Sequence, residues 1–88
     1  MVTYEEFSGM WNSCWNQMRD REIEEINKLG KEKIDYTKVG ENFYATIILN
    51  NGNVIYASSY KFNYPNVIFM RKELVIAAIN MSDIKMVL

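Results

Sequence analysis

Asn50-Asn51-Gly52-Asn53 separates two apolar runs, residues 43–49 and 54–62. An Asn-Gly pair in that setting is the strongest short-range signal for a β-hairpin. With Asn51 and Gly52 as the two central residues, Leu49 faces Val54, Ile47 faces Tyr56, Ala45 faces Ser58 and Phe43 faces Tyr60. One sheet face then carries Phe43, Ala45, Ile47, Leu49, Val54, Tyr56, Ser58 and Tyr60, and this is the face expected to meet a helix. Tyr44, Thr46, Ile48, Ile55, Ala57 and Ser59 fall on the other, less apolar face. Ala45 opposite Ser58 leaves a low spot that could accept Trp11 or Trp15.

Upstream, the spacing predicts one long helix over residues 4–29. Thr3-Tyr4-Glu5-Glu6 reads as a capping box, and Glu5 and Glu6 suit the positive end of a helix dipole. Tyr4, Phe7, Trp11, Cys14, Trp15 and Met18 recur every three or four residues and define a buried stripe. Gly30 supplies a stop. Such a helix is roughly 39 Å long at 1.5 Å per residue, long for this chain. Beyond Met18 the stripe turns charged, through Arg19, Asp20, Glu22, Glu24 and Glu25, with Glu22 and Glu25 on the apolar face itself. Either the helix overhangs a small core and is solvated there, or this acidic turn docks a partner or a second copy.

Downstream lies a polar connector over 31–42, with a short strand expected at 34–39. After the hairpin, Phe62-Asn63-Tyr64-Pro65-Asn66 is a turn, because proline disrupts a central strand and biases Tyr64 toward extended geometry. A short strand at 67–70, a charged turn at 71–73 and a continuous apolar run at 74–79 follow. That run is short enough for a buried strand. A turn at 80–83 and a last strand at 84–87 complete a meander. The fold class is α+β, a single domain over 1–88: a long N-terminal helix packed on a bent antiparallel sheet or small barrel of four or five strands.

Eighty-eight residues support one modest core, and with 49% apolar residues the chain is expected to fold. Its formal charge of −1 provides no overall field for nucleic acid or a membrane surface. One cysteine excludes an internal disulfide framework. The start lacks a signal-peptide pattern, and no run approaches the ~20 apolar residues of a bilayer span. The expectation is a cytoplasmic protein, complete as written. The chain has no histidine, which removes the usual general acid/base and the commonest metal ligand. No catalytic residues, metal ligands or cofactor are therefore assigned. Enrichment in Asn, Ile, Lys and Tyr, together with the short frame, suggests a low-GC bacterium or its phage.

Residues 49–88 resemble the Sm-like small barrel, an SH3-like fold of one helix followed by about five short strands. Asn51-Gly52, then Ala57, then Phe62-Asn63 and Val67-Ile68-Phe69-Met70 lie where that family's first motif has its hairpin, small residue, aromatic-Asp pair and apolar strand. Residues 79–87 resemble the second motif. The resemblance implies an oligomeric RNA binder, but Asn80-Met81 stands where a basic pair is expected, so the cationic part of an RNA pocket is missing.

Trp11 and Trp15 could stack on bases, but their neighbours Phe7, Cys14 and Met18 make them core residues, with Cys14 an inert thiol. Tyr64, beside Asn63 and Asn66, combines a rigid ring with adaptable amides, a protein-contact composition, and Phe62 borders it. The alternative is that these rings cover one end of the barrel. The leading expectation is a non-enzymatic protein-binding module. Its most concrete form is a phage or mobile-element inhibitor of a host protein such as a defence nuclease. The contact residues would be Arg19, Asp20, Glu22, Glu25, Phe62, Asn63, Tyr64 and Asn66. The partner is a protein, with a homo-oligomer also open; nucleic acid and membrane are not expected. The alternative is the Sm-like RNA-binding oligomer.

Overall fold

A computed structural model describes residues 2–30 and 38–88. It is an α+β fold: one long N-terminal helix and two three-stranded antiparallel sheets that do not close into a barrel. The helix α1 spans Tyr4–Lys28. Thr3 caps it in extended conformation, its hydroxyl oxygen accepting from the Glu6 amide at 3.1 Å. The Glu6 carboxylate accepts in turn from the Thr3 hydroxyl at 3.2 Å, so the box closes side chain to side chain. Gly30, at φ +66°, ends the helical run as a left-handed residue should.

The strands are β1 (Ala45–Leu49), β2 (Val54–Ala57), β3 (Ser59–Asn63), β4 (Asn66–Arg71), β5 (Leu74–Asn80) and β6 (Ile84–Val87), with a 3-10 turn at Met81–Asp83. One sheet runs β2-β1-β6 and the other β3-β4-β5. The single run expected over 54–62 is thus two strands, cut at Ser58 and shared between the sheets. Ser58 donates its amide to the Met70 carbonyl at 2.9 Å, and its hydroxyl oxygen accepts from the Lys72 amide at 3.0 Å. This corner raises the strand count to six. Of the strand expected over 34–39, residues 34–37 lie outside the described residues, while residues 38–42 form turns.

The hairpin is present, but its register is one residue from the expected one. Ala45 pairs with Ala57, Thr46 with Tyr56, Ile47 with Ile55 and Ile48 with Val54. A two-residue type I′ loop needs positive φ at both central residues, and here only Gly52, at φ +88°, has it. Asn50 is instead drawn away by two long-range bonds: its amide donates to the Asp83 carbonyl and its side-chain amide to the Ser82 carbonyl, both at 2.8 Å. The loop opens to three residues, with the Gly52 amide donating to the Leu49 carbonyl at 3.0 Å. A slip of one residue flips every side chain of the second strand. Ile55 and Ala57 therefore turn inward, Val54 and Tyr56 are exposed, and Ala45 has no Ser58 opposite it.

The core gathers Phe7 and Trp11 of α1, Phe43, Ala45, Ile47 and Leu49 around β1, Ala57, Val67 and Phe69, and Met81, Ile84 and Val87 near the C-terminus. Trp11 does not fill a low spot on the sheet; it stands edge-on to Phe43 and Tyr60, with ring centroids 5.8 and 4.7 Å away. Trp15 stands edge-on to Phe43 and covers Gly40. Leu29, the residue that caps the C-terminal end of α1, is exposed.

The apolar run at 74–79 is not a buried strand. Among the described residues β5 is the edge of its sheet, paired only with β4, while α1 lies against β6 and β1. Ala77 and Ile79, opposite the buried Phe69 and Val67, face the core; Leu74 is 72% exposed, Val75 63% and Ile76 38%. Lys72 (φ +50°) and Glu73 (φ +71°), both left-handed, form the two-residue turn into β5, a conformation suited to Asn-Gly.

Two stability changes follow from the backbone. A Cβ at Gly40 (φ +82°) would overlap the Trp15 ring, so Gly40→Ala should cost about 2–4 kcal/mol through strain and overpacking, read as a lowered urea midpoint. Glu73→Gly should raise stability by about 1 kcal/mol in the same assay, by relieving left-handed strain.

Candidate functional site

The hairpin between β3 and β4 closes with Asn63 paired to Asn66, leaving Tyr64 and a cis Pro65 as its two loop residues. Tyr64 is 80% exposed. Thr3, by capping α1 where it does, places Tyr4 at the first helical position directly over this hairpin. The Tyr4 ring stands edge-on to Phe62 at 4.3 Å and to Tyr64 at 5.8 Å. Phe62 in turn contacts Phe7 at 5.9 Å, and Phe7 contacts Phe69. A ladder of edge-on and tilted rings thus runs from the core to the outermost tyrosine, so Tyr64 is presented from a rigid base.

Beside this ladder lies a pocket of about 280 Å³ lined by Val2, Thr3, Tyr4, Tyr64, Pro65, Asn80 and Met81. Its floor is fixed by the Met81 amide donating to the Pro65 carbonyl at 2.9 Å. Asn80 caps the 3-10 turn, its side-chain oxygen accepting from the Ser82 amide and hydroxyl. The Tyr4 hydroxyl is out of solvent with no hydrogen-bond partner, although the residue as a whole is only half-buried, so its cover is local. Burial pushes the Tyr4 phenol above its ordinary 10.0, and the neighbouring Tyr64 hydroxyl adds to the shift. The volume is below the ~300–1,000 Å³ of small-molecule sites and suits a single inserted side chain.

The structure divides the expected contact residues into two groups far apart in the fold. Phe62, Asn63, Tyr64 and Asn66 are gathered at this end, with Phe62 built into the ladder and Tyr64 at the rim. Arg19, Asp20 and Glu25 lie on the far half of α1, where Arg19 and Asp20 form an exposed pair at 3.3 Å, of little energetic weight. Glu22 has a different use: its carboxylate accepts from the Gly40 amide at 3.0 Å, tying the helix to the turn before β1. Its place on the apolar stripe is explained by that bond. Tyr4, Pro65, Asn80 and Met81 were not among the expected residues. The spacing of Tyr4 places it on the helical stripe, and nothing local in the sequence places residues 80 and 81 beside residue 65.

Cys14 is half-buried, and burial raises its thiol above the ordinary 9.0, so it stays protonated at neutral pH. Among the described residues no three Asp, Glu or Cys side chains converge as metal ligands, and no helix is long and apolar enough to cross a membrane. The chain matches no protein family, no curated protein and no solved structure.

Tyr4→Phe should raise the urea midpoint, because it removes a polar atom that folding strips of water without replacing its bond. It should also flatten the alkaline limb of stability. The folded-state pKa of Tyr4 lies above its unfolded value, so the unfolded chain loses its proton first. The wild type therefore loses stability as pH rises from about 10 toward the folded value, and the variant lacks that component.

Proposed function

We propose that this chain is a non-enzymatic protein-binding module whose partner inserts one apolar side chain between Tyr4, Tyr64, Pro65 and Met81. The observation that carries this reading is the pocket itself: side-chain sized, apolar, rigidly backed, and rimmed by an exposed tyrosine. Buried anchors in such pockets dominate protein interfaces, with polar groups around them contributing complementarity. Thr3 and Asn80 are the polar residues of the pocket's lining, and Asn63 and Asn66 pair at the base of the hairpin that carries Tyr64. The exposed Arg19, Asp20 and Glu25 form a second, electrostatic surface that would steer association more than hold it. In its most concrete form the module is an inhibitor of a host protein, such as a defence nuclease, encoded by a phage or mobile element. The short frame and the Asn, Ile, Lys and Tyr enrichment support that form.

A second reading, an Sm-like RNA-binding oligomer, is supported by the order of helix, hairpin and bent strands. The Asn80-Met81 turn gives it no cation for phosphate.

The test is capture of partners from lysate of the source cell, followed by affinity measurement on the purified pair. Tyr64→Ala should weaken binding about thirty-fold, equivalent to roughly 2 kcal/mol, while leaving the unfolding curve within about 0.5 kcal/mol. Glu25→Lys should change the association rate and its salt dependence by less. Loss of binding on Glu25→Lys with none on Tyr64→Ala would move the interface to the helix and remove the pocket from the argument.

A further inference from the structure

Among the described residues, four strands lie at sheet edges: β2, β6, β3 and β5. An edge strand carries a row of unpaired amides and carbonyls, and monomeric proteins blunt such edges with short length, charge or proline. β6 has Lys85 and β3 has Lys61; β2 is four residues long and ends at the Ser58 corner. β5 alone lacks short length, charge and proline, its one edge-blunting device being a bulge. It is the longest of the four, seven residues reading Leu-Val-Ile-Ala-Ala-Ile-Asn, without a charge or a proline. A bulge at Ile76 is its only irregularity. Leu74, Val75 and Ile76 are exposed, and Val75 and Ala78 share the outward face with Ile68 and Met70 of β4.

The two ends of this edge are oppositely charged. Arg71, Lys72 and Glu73 leave one net positive charge at the turn into β5, and the 3-10 turn that leaves it, Met81–Asp83, carries one negative charge, Asp83, with Lys85 beyond it on β6. The positive end includes Lys72, held in the left-handed turn although Asn-Gly would sit there without strain. A strand polarised in this way is complementary to itself, and only in the antiparallel sense: the Lys72 end of one copy then meets the Asp83 end of the other.

We infer that β5 is a self-association edge, at which two copies of this chain pair antiparallel to form one continuous six-stranded sheet across a two-fold axis. The edge meets the Tyr64 pocket at Asn80 and Met81, but the self-pairing does not rest on that reading. An isologous contact of this kind closes at two copies, whereas a head-to-tail contact through two different edges would continue into a ring or a filament.

Light scattering coupled to size exclusion on the full chain tests this. The wild type should give twice its 10.4 kDa mass at concentrations where Val75→Lys gives a folded monomer by circular dichroism. If Val75→Lys does not fold, Leu74→Lys, at the most exposed position of the strand, should give the same result. Lys72→Glu and Asp83→Lys should each weaken the dimer, and the double variant should restore it, which only antiparallel self-pairing requires. A wild type that stays monomeric, a mass of three or more copies, or a dimer unaffected by Val75→Lys and Leu74→Lys would each overturn the inference, as would charge variants whose effects simply add.

Discussion

The corner at Ser58 is the constraint on which the arrangement of everything else depends. A single apolar run leaves one sheet and joins another there, and three hydrogen bonds from one small residue hold the change of direction. Its amide and hydroxyl both donate to the Met70 carbonyl, and its hydroxyl oxygen accepts from the Lys72 amide. Arg71 reinforces the corner by donating from Nε and Nη2 to the Tyr56 carbonyl at 3.2 and 2.9 Å. With the corner fixed, β1 and β4 become the central strands of two separate sheets. The helix can then cover the junction with only two fully committed side chains, Phe7 and Trp11, because the sheets converge on them. The Tyr60 hydroxyl donates to the Ser8 hydroxyl at 3.2 Å, adding a polar fastening between the first strand after the corner and the helix.

The helix was legible because its signals are local: a cap, a stripe at three- and four-residue spacing, and a terminal glycine. The hairpin was legible as a hairpin and illegible as a register. The loop length turned on Asn50, whose amide and side chain bond to carbonyls more than thirty residues away. The aromatic turn at 62–66 was found from composition, and the structure adds why it is rigid: Tyr4 and Phe7 reach it from the helix. The pocket beside it was not legible, since it joins residues 2–4, 64–65 and 80–81, three segments that only the completed fold brings together. Glu22 shows the converse. A charge on an apolar stripe suggested an overhang, and its actual role was to accept one backbone amide from a turn eighteen residues on.

The apolar run at 74–79 marks the clearest limit. Continuous hydrophobicity reports that a strand avoids water, without saying what covers it. β5 reaches the core only at its margin, through Ile79 packed against the buried cluster. Among the described residues, the buried apolar set comes from α1, the segment around β1, and parts of β2, β4, β6 and the 3-10 turn, with no member of β5. Scattered exposed apolar residues are ordinary, because folded proteins never have enough polar surface to cover themselves. Contiguity along an unpaired edge is different, since the backbone there is unsatisfied as well as the side chains.

That difference orders the two candidate surfaces physically. The pocket at Tyr4 and Tyr64 has its backbone bonds made and its rings packed, so it is preformed and costs little to occupy. The β5 edge has its backbone bonds unmade, so a strand docking there gains main-chain hydrogen bonds along its length, with pockets and charges setting only its direction. A surface of the first kind discriminates among partners by side chain; one of the second kind discriminates poorly unless its ends are polarised. The Lys72 and Asp83 ends provide that polarity within one sequence, and the strain at Lys72-Glu73 is retained at the same hairpin. The proposed socket and the proposed edge meet where β5 ends, at Asn80 and Met81, which line the pocket, so occupation of one bounds the space left to the other.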